Sequence, residues 1–121
     1  MAKTIAHTQP HFSPTFEAGS LLFVSGQLPF DAQGLISGEV EVQTLQCLRN
    51  LENLLAGCGL SRTDVVKATV WLRREQDFPG FNATYAEFFG THRPARSTVI
   101  CMLARPEALV EIEAIAMRGR R

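Results

Sequence analysis

Two stretches of this chain, residues 21–24 (Leu-Leu-Phe-Val) and 65–72, are apolar on consecutive positions, a pattern a β-strand tolerates only when both of its faces are covered. Two further segments carry helical periodicity, and two helices cover only one face of a sheet. The pattern therefore predicts an α+β sandwich: a mixed sheet with two helices packed on one face and the other face left for a partner. Oligomerisation is the economical solution.

The order of elements follows from local signals. Residues 15–18 read as a short strand, Gly19-Ser20 as a turn, and 21–24 as a buried strand ending at Ser25-Gly26. Val42, Leu45, Leu48, Leu51 and Leu55 recur at three- and four-residue spacing, which predicts a helix ending near residues 57–59, where glycines suit left-handed caps. Ser61-Arg62-Thr63-Asp64 has the form of a capping box opening one short turn. Residues 65–72 form the next strand, and Asp77 ahead of Phe78-Pro79 is placed to cap a second helix that carries Phe81, Tyr85, Phe88 and Phe89 and stops at Gly90. Residues 96–103 make a strand that runs into a turn at 104–107, and 109–117 alternates through Glu111 and Glu113 as the returning strand. The tail, 118–121, is expected to be solvated. The order is ββαβαββ, without a repeat, a low-complexity tract or a domain boundary, so residues 1–121 read as one domain.

Length and composition narrow the function classes. A chain of 121 residues, 45% hydrophobic, suits one compact domain. Twelve Lys and Arg balance twelve Asp and Glu, so no broad field draws the protein to nucleic acid or anionic lipid, and neither partner is expected. No apolar run approaches the roughly 20 residues of a membrane helix. Residues 1–10 lack the apolar core of a secretory signal, so the cytoplasm is the expected location. Cys47, Cys58 and Cys101 are odd in number and widely spaced, which predicts free thiols. His7 and His11 have i,i+4 spacing, but Pro10 between them breaks the helix a metal pair would need. No glycine motif cradles phosphate, Ser25-Gly26 lacks the glycine that precedes a nucleophile elbow, and His92 has no identifiable orienting carboxylate. No cofactor or metal is expected.

What remains is Pro94-Ala95-Arg96-Ser97-Thr98-Val99, followed by Glu111-Ile112-Glu113-Ala114-Ile115-Ala116. An arginine at the start of an apolar strand, fixed by a proline two residues earlier, is costly to bury unless its guanidinium finds an anion. A carboxylate of the chain, Glu111 or Glu113 across a hairpin, is one source; a ligand is the other. Strand parity leaves the choice open, because the register of the two strands decides whether their faces coincide.

The same residues carry a family resemblance that spans nearly the whole chain. It rests on Leu22-Phe23-Val24-Ser25-Gly26-Gln27, Gln43 and Asn50 in the first helix, and Gly59-Leu60 before Asp64-Val65-Val66-Lys67. It continues through Asn82-Ala83-Thr84-Tyr85 with Phe88-Phe89, Pro94-Ala95-Arg96-Ser97, and residues 110–116. In this order they resemble the YjgF/RidA family of proteins that hydrolyse reactive imines and enamines. The resemblance implies a chorismate-mutase-like fold assembled as a homotrimer, with three ligand clefts between subunits. It also implies that Arg96 holds a substrate carboxylate and Glu111 positions water, with Ser25, Gly26, Asn82, Thr98 and Phe12 lining the cleft. Three departures bear on substrate range. Phe12 stands where members often have tyrosine, Thr98 where cysteine is frequent, and the connection through residues 90–93 is short.

The expected reaction is hydrolysis of 2-imino acids such as 2-iminopropanoate and 2-iminobutanoate to 2-oxo acids and ammonium. It asks only for carboxylate anchoring and a positioned water. The alternative is a trimeric binding or regulatory protein for 2-oxo acids with little catalysis. RNA cleavage, attributed to some relatives, finds neither a basic stripe nor an aromatic stacking platform in this sequence.

Overall fold

The computed structural model of the chain describes residues 10–119; His7 and the last two arginines of the tail lie outside the described residues. The chain forms β1 (Thr15–Ala18), β2 (Leu21–Gln27), α1 (Val40–Gly57), β3 (Val65–Leu72), α2 (Phe78–Phe89), β4 (Ala95–Ile100) and β5 (Val110–Met117). The sheet runs in the order β1-β2-β5-β3-β4. Every pair is antiparallel except β3 and β4. That parallel pair is joined through α2, a crossover long enough to return the chain to the same end of the sheet.

One expectation fails here with a consequence for function. The strand beginning near Arg96 does not form a hairpin with the strand through Glu111, because β3 lies between β4 and β5. The loop between them passes over the end of β3. There Arg73, the first residue after that strand, gathers its carbonyls: Nε donates to Ala108 at 2.8 Å and a terminal nitrogen to Arg105 at 2.7 Å. The loop is thereby tied as a crossing rather than a tight turn.

The helices cover one face of the sheet. Leu22 and Val24 of β2, Ala68, Val70 and Leu72 of β3, and Val110, Ile112, Ala114 and Ala116 of β5 are all buried, packed with Leu48, Leu51, Leu55 and Phe81 of the helices. On the other face Phe16 and Phe23 pair across β1 and β2 and stay 66% and 40% exposed. The open face predicted from the sequence is thus present in the single chain.

Details of the helices depart from expectation. The α1 stripe takes Val40 into the core and leaves Val42 58% exposed, while Gln43 is buried. Gln43 is satisfied at both ends, its nitrogen donating to Gly38 at 3.0 Å and its oxygen accepting from the Leu109 amide at 2.8 Å. Asp77 stands at the start of α2 without capping it, since its carboxylate is taken by Arg74 at 2.8 and 3.0 Å. The capping box at Ser61 forms, with the Ser61 amide donating to Asp64 at 2.9 Å. Arg118, expected in the solvated tail, pairs with Glu17 at 2.8 Å. The three cysteines are free thiols.

Leu48 is fully buried beneath the sheet. Leu48→Ala should lower unfolding free energy by about 2–5 kcal/mol in denaturant titrations followed by circular dichroism. A change below about 1 kcal/mol would show that the core does not close around this side chain.

Candidate active site

The register of β3 assigns each candidate to a face of the sheet. Ala68 lies opposite Arg96 and Val70 opposite Thr98, while on the other side of β3 Trp71 lies opposite Glu111 and Thr69 opposite Glu113. Directly paired residues share a face. Ala68 and Val70 are buried under the helices, so Arg96 and Thr98 belong to the helix side, and Glu111 and Glu113 to the open side. Arg96 and Glu111 of one chain therefore stand on opposite faces of the sheet.

This geometry removes the ion pair that the hairpin would have made. Among the described residues the ion pairs are Arg62–Glu52, Arg74–Asp77, Arg105–Glu107 and Arg118–Glu17, and Arg96 takes part in none of them. Its guanidinium carbon instead sits 4.8 Å from the ring centre of Tyr85, 5.0 Å from Phe81 and 5.8 Å from Phe78. Helical spacing brings these three rings of α2 to one face. Such contacts favour the cation by about 0.5–2 kcal/mol and hold it in place without neutralising it, leaving its N–H groups for an anion.

Arg96 and Asn82 line one cavity of about 540 Å³, joined in its wall by Tyr85. The Tyr85 hydroxyl is buried without a hydrogen-bond partner. Burial pushes the phenol up to about 12, against the opposing pull of Arg96. Reading the sequence for chemistry passes over Tyr85, because an aromatic residue four positions from Phe81 and Phe89 looks like core. Nothing in its spacing signals that its hydroxyl stays unpaired.

On the open side Glu111 meets Gly26. The β2–β5 register slips between Val24 and Gln27, and a Cβ at Gly26 would overlap the Glu111 Oε2. Only glycine leaves that carboxylate its position. Glu111 also borders a hollow of about 230 Å³ with Trp71 and Cys101. Phe12 and Gly26 line a cavity of about 460 Å³ with Asn50. Ser25 and Glu113 share another hollow, and the Ser25 hydroxyl donates to the Ser13 carbonyl at 2.6 Å. The candidates thus fall into two groups, Arg96, Asn82 and Thr98 on the helix side, and Glu111, Gly26, Phe12 and Ser25 around β2 and the open side. The first offers an anion site and the second a carboxylate able to move a proton.

Burial raises the Glu111 carboxyl above its ordinary value, and the neighbouring charge of Glu113 adds to the shift. Both effects disfavour the ionised form. The carboxyl is therefore closer to the pH range in which a group both accepts and returns protons.

Comparison with known proteins places this geometry in context. Residues 3–118 match the protein family described as Endoribonuclease L-PSP. A RutC family protein of Pyrococcus horikoshii is 39% identical over 109 residues, covering 88% of this chain and 86% of the relative. The 2-iminobutanoate/2-iminopropanoate deaminase of Salmonella typhimurium is 39% identical over 106 residues, covering 84% and 83%. The crystal structure of E. coli TdcF with bound serine superposes with a TM-score of 0.85 at 33% identity, covering 93% of this chain and 91% of that one.

The raised Glu111 carboxyl has a checkable sign. Folding holds Glu111 above its unfolded value, so the fold favours the protonated form; stability from this group is present at low pH and lost as pH rises through the folded value. Glu111→Gln should therefore gain stability relative to wild type as pH is raised from 4 toward 8, measured by thermal unfolding. Carbon NMR should find the Glu111 titration above an ordinary glutamate and lowered by Glu113→Gln. A constant stability difference across that range would contradict the assignment.

Proposed function

The chain belongs to the YjgF/RidA/RutC family, and from that membership we propose that it hydrolyses 2-imino acids such as 2-iminopropanoate and 2-iminobutanoate to 2-oxo acids and ammonium, at sites shared between subunits of a homotrimer. Deaminase activity is named among its relatives, and the substrate range assigned here is the finer proposal. The observation that carries it is the Arg96 guanidinium, lodged on aromatic rings beside a cavity and free of any ion pair among the described residues. A 2-imino acid supplies the missing carboxylate. Glu111 stands on the opposite face of the same sheet, so the general base for a substrate held by Arg96 is supplied by a neighbouring subunit.

In the reaction, Arg96 clamps the substrate carboxylate with two parallel N–H donors and sets the imine carbon in the cleft. Glu111 of the neighbouring subunit accepts a proton from water as its oxygen bonds to that carbon. That proton passes to nitrogen to give a carbinolamine; Glu111 then takes the proton of its hydroxyl and hands it to nitrogen as the carbonyl forms, the carbon–nitrogen bond breaks and ammonia departs. A carboxyl with a raised proton affinity suits both halves of this transfer. Asn82 lines the substrate side, and Gly26 keeps the Glu111 carboxylate in place.

A second reading draws on Phe12, which brings no hydroxyl to the cavity it shares with Gly26: a trimer that binds 2-oxo acids without accelerating imine decay.

The roles separate in ammonia release from freshly generated 2-iminopropanoate. Arg96→Ala should raise KM by about 10- to 100-fold, the loss of a charge-assisted pair. Glu111→Gln should lower kcat by about 10²- to 10⁴-fold with binding retained. Gly26→Ala should lower kcat with little change in unfolding midpoint, because the displaced atoms are the end of a flexible side chain. Unchanged release by all three variants as intact oligomers would refute the mechanism. Saturable 2-oxo acid binding without catalysis in the wild type would favour the second reading, and RNA cleavage abolished by Arg96→Ala without imine turnover would replace both.

A further inference from the structure

We propose that the Arg96 cavity is a two-anion site in which Arg96 takes one carboxylate and Arg93 the other, so that the preferred substrates are imines of dicarboxylic amino acids. The inference rests on the imine reading above and names its substrate class more closely.

Three basic side chains, His92, Arg93 and Arg96, line the same cavity of about 540 Å³, and none of the residues in its wall is an aspartate or glutamate. Neither guanidinium belongs to an ion pair among the described residues. Arg93 stands exposed at the rim and Arg96 half-buried within, so one carboxylate bound at Arg96 leaves the donors of Arg93 unengaged. A ligand with two carboxylates compensates both. The His92 ring does not serve as a swinging substitute, because its Nε2 donates to the Val65 carbonyl at 2.7 Å and is held against β3.

The second observation is independent of charge. Tyr85 lines the same cavity, is only 6% exposed, and has a hydroxyl without a partner. A buried O–H left unpaired is costly, so natural structures seldom keep one without use. A carboxylate oxygen entering the cavity is the acceptor it lacks. The walls thus hold more donors, from two guanidiniums and a phenol, than one carboxylate can engage.

Calorimetry on the intact protein with 2-oxoglutarate and 2-oxobutanoate tests this directly, alongside hydrolysis of the corresponding imines. Wild type should bind 2-oxoglutarate about tenfold more tightly than 2-oxobutanoate, the scale of one additional charge-assisted pair. Arg93→Ala should bring the ratio of the two affinities close to one, and Arg93→Lys should restore part of it; a side chain that merely supports the fold would leave the ratio where it was. Equal or tighter binding of 2-oxobutanoate by wild type, or a ratio insensitive to Arg93→Ala, overturns the proposal. Rapid hydrolysis of 2-iminobutanoate with no diacid preference defeats the two-anion site alone. A diacid preference without hydrolysis of either imine defeats the catalytic reading and leaves the site standing.

Discussion

The insertion of β3 between β4 and β5 is the constraint on which the site depends. In a pleated sheet each side chain inherits its face from its neighbour across the ladder, and β3 fixes both outer strands at once: Arg96 by way of Ala68, Glu111 by way of Trp71. A cation and an acid that look like natural partners along the chain are thereby separated by the thickness of the sheet. Had β4 and β5 paired directly, the two charges could have neutralised each other and left nothing for a ligand. The ladders of β3 with both strands prevent this, and Arg73 holds the crossing loop by that loop's carbonyls.

Each half of the site is then adjusted by its surroundings. On the helix side, the rings of Phe78, Phe81 and Tyr85 hold Arg96 through polarisation rather than opposite charge, which orients the guanidinium and keeps its donors unspent. On the open side, burial and Glu113 make ionisation of Glu111 harder, and the bulge at Gly26 gives its carboxylate room. The exposed apolar face carrying Phe16 and Phe23 gives the single chain a reason to associate.

Much of this was legible in the residues. Periodicity placed both helices and most strands, Gly90 marked the end of α2, and consecutive apolar residues in β2 announced a face in need of cover. Arg96 and Glu111 stood out as charges embedded in apolar strands. Their relation did not, because a turn followed by alternating residues looks the same in a hairpin as in a loop that crosses a third strand, and the β3 pairings that decide it join residues far apart in the chain. Asp77 has the local form of a helix cap, yet Arg74 three residues earlier competes for the carboxylate and wins. Val42 fits the helical stripe and is nevertheless exposed, since the edge of an apolar stripe depends on where the sheet ends. The unpaired Tyr85 hydroxyl could not be read at all: a sequence shows that an oxygen is present, not that it lacks a partner.

Subunit complementation tests the central claim most directly. Arg96→Ala and Glu111→Gln proteins, each strongly impaired in imine hydrolysis at substrate well below KM, are unfolded together, refolded as mixed oligomers and assayed under the same conditions. If the two groups come from different chains of a closed ring, random assembly regenerates intact sites at about a quarter of the positions, and activity returns to about that fraction of wild type. Mixed oligomers that form and remain no more active than their parents would contradict a site shared across subunits.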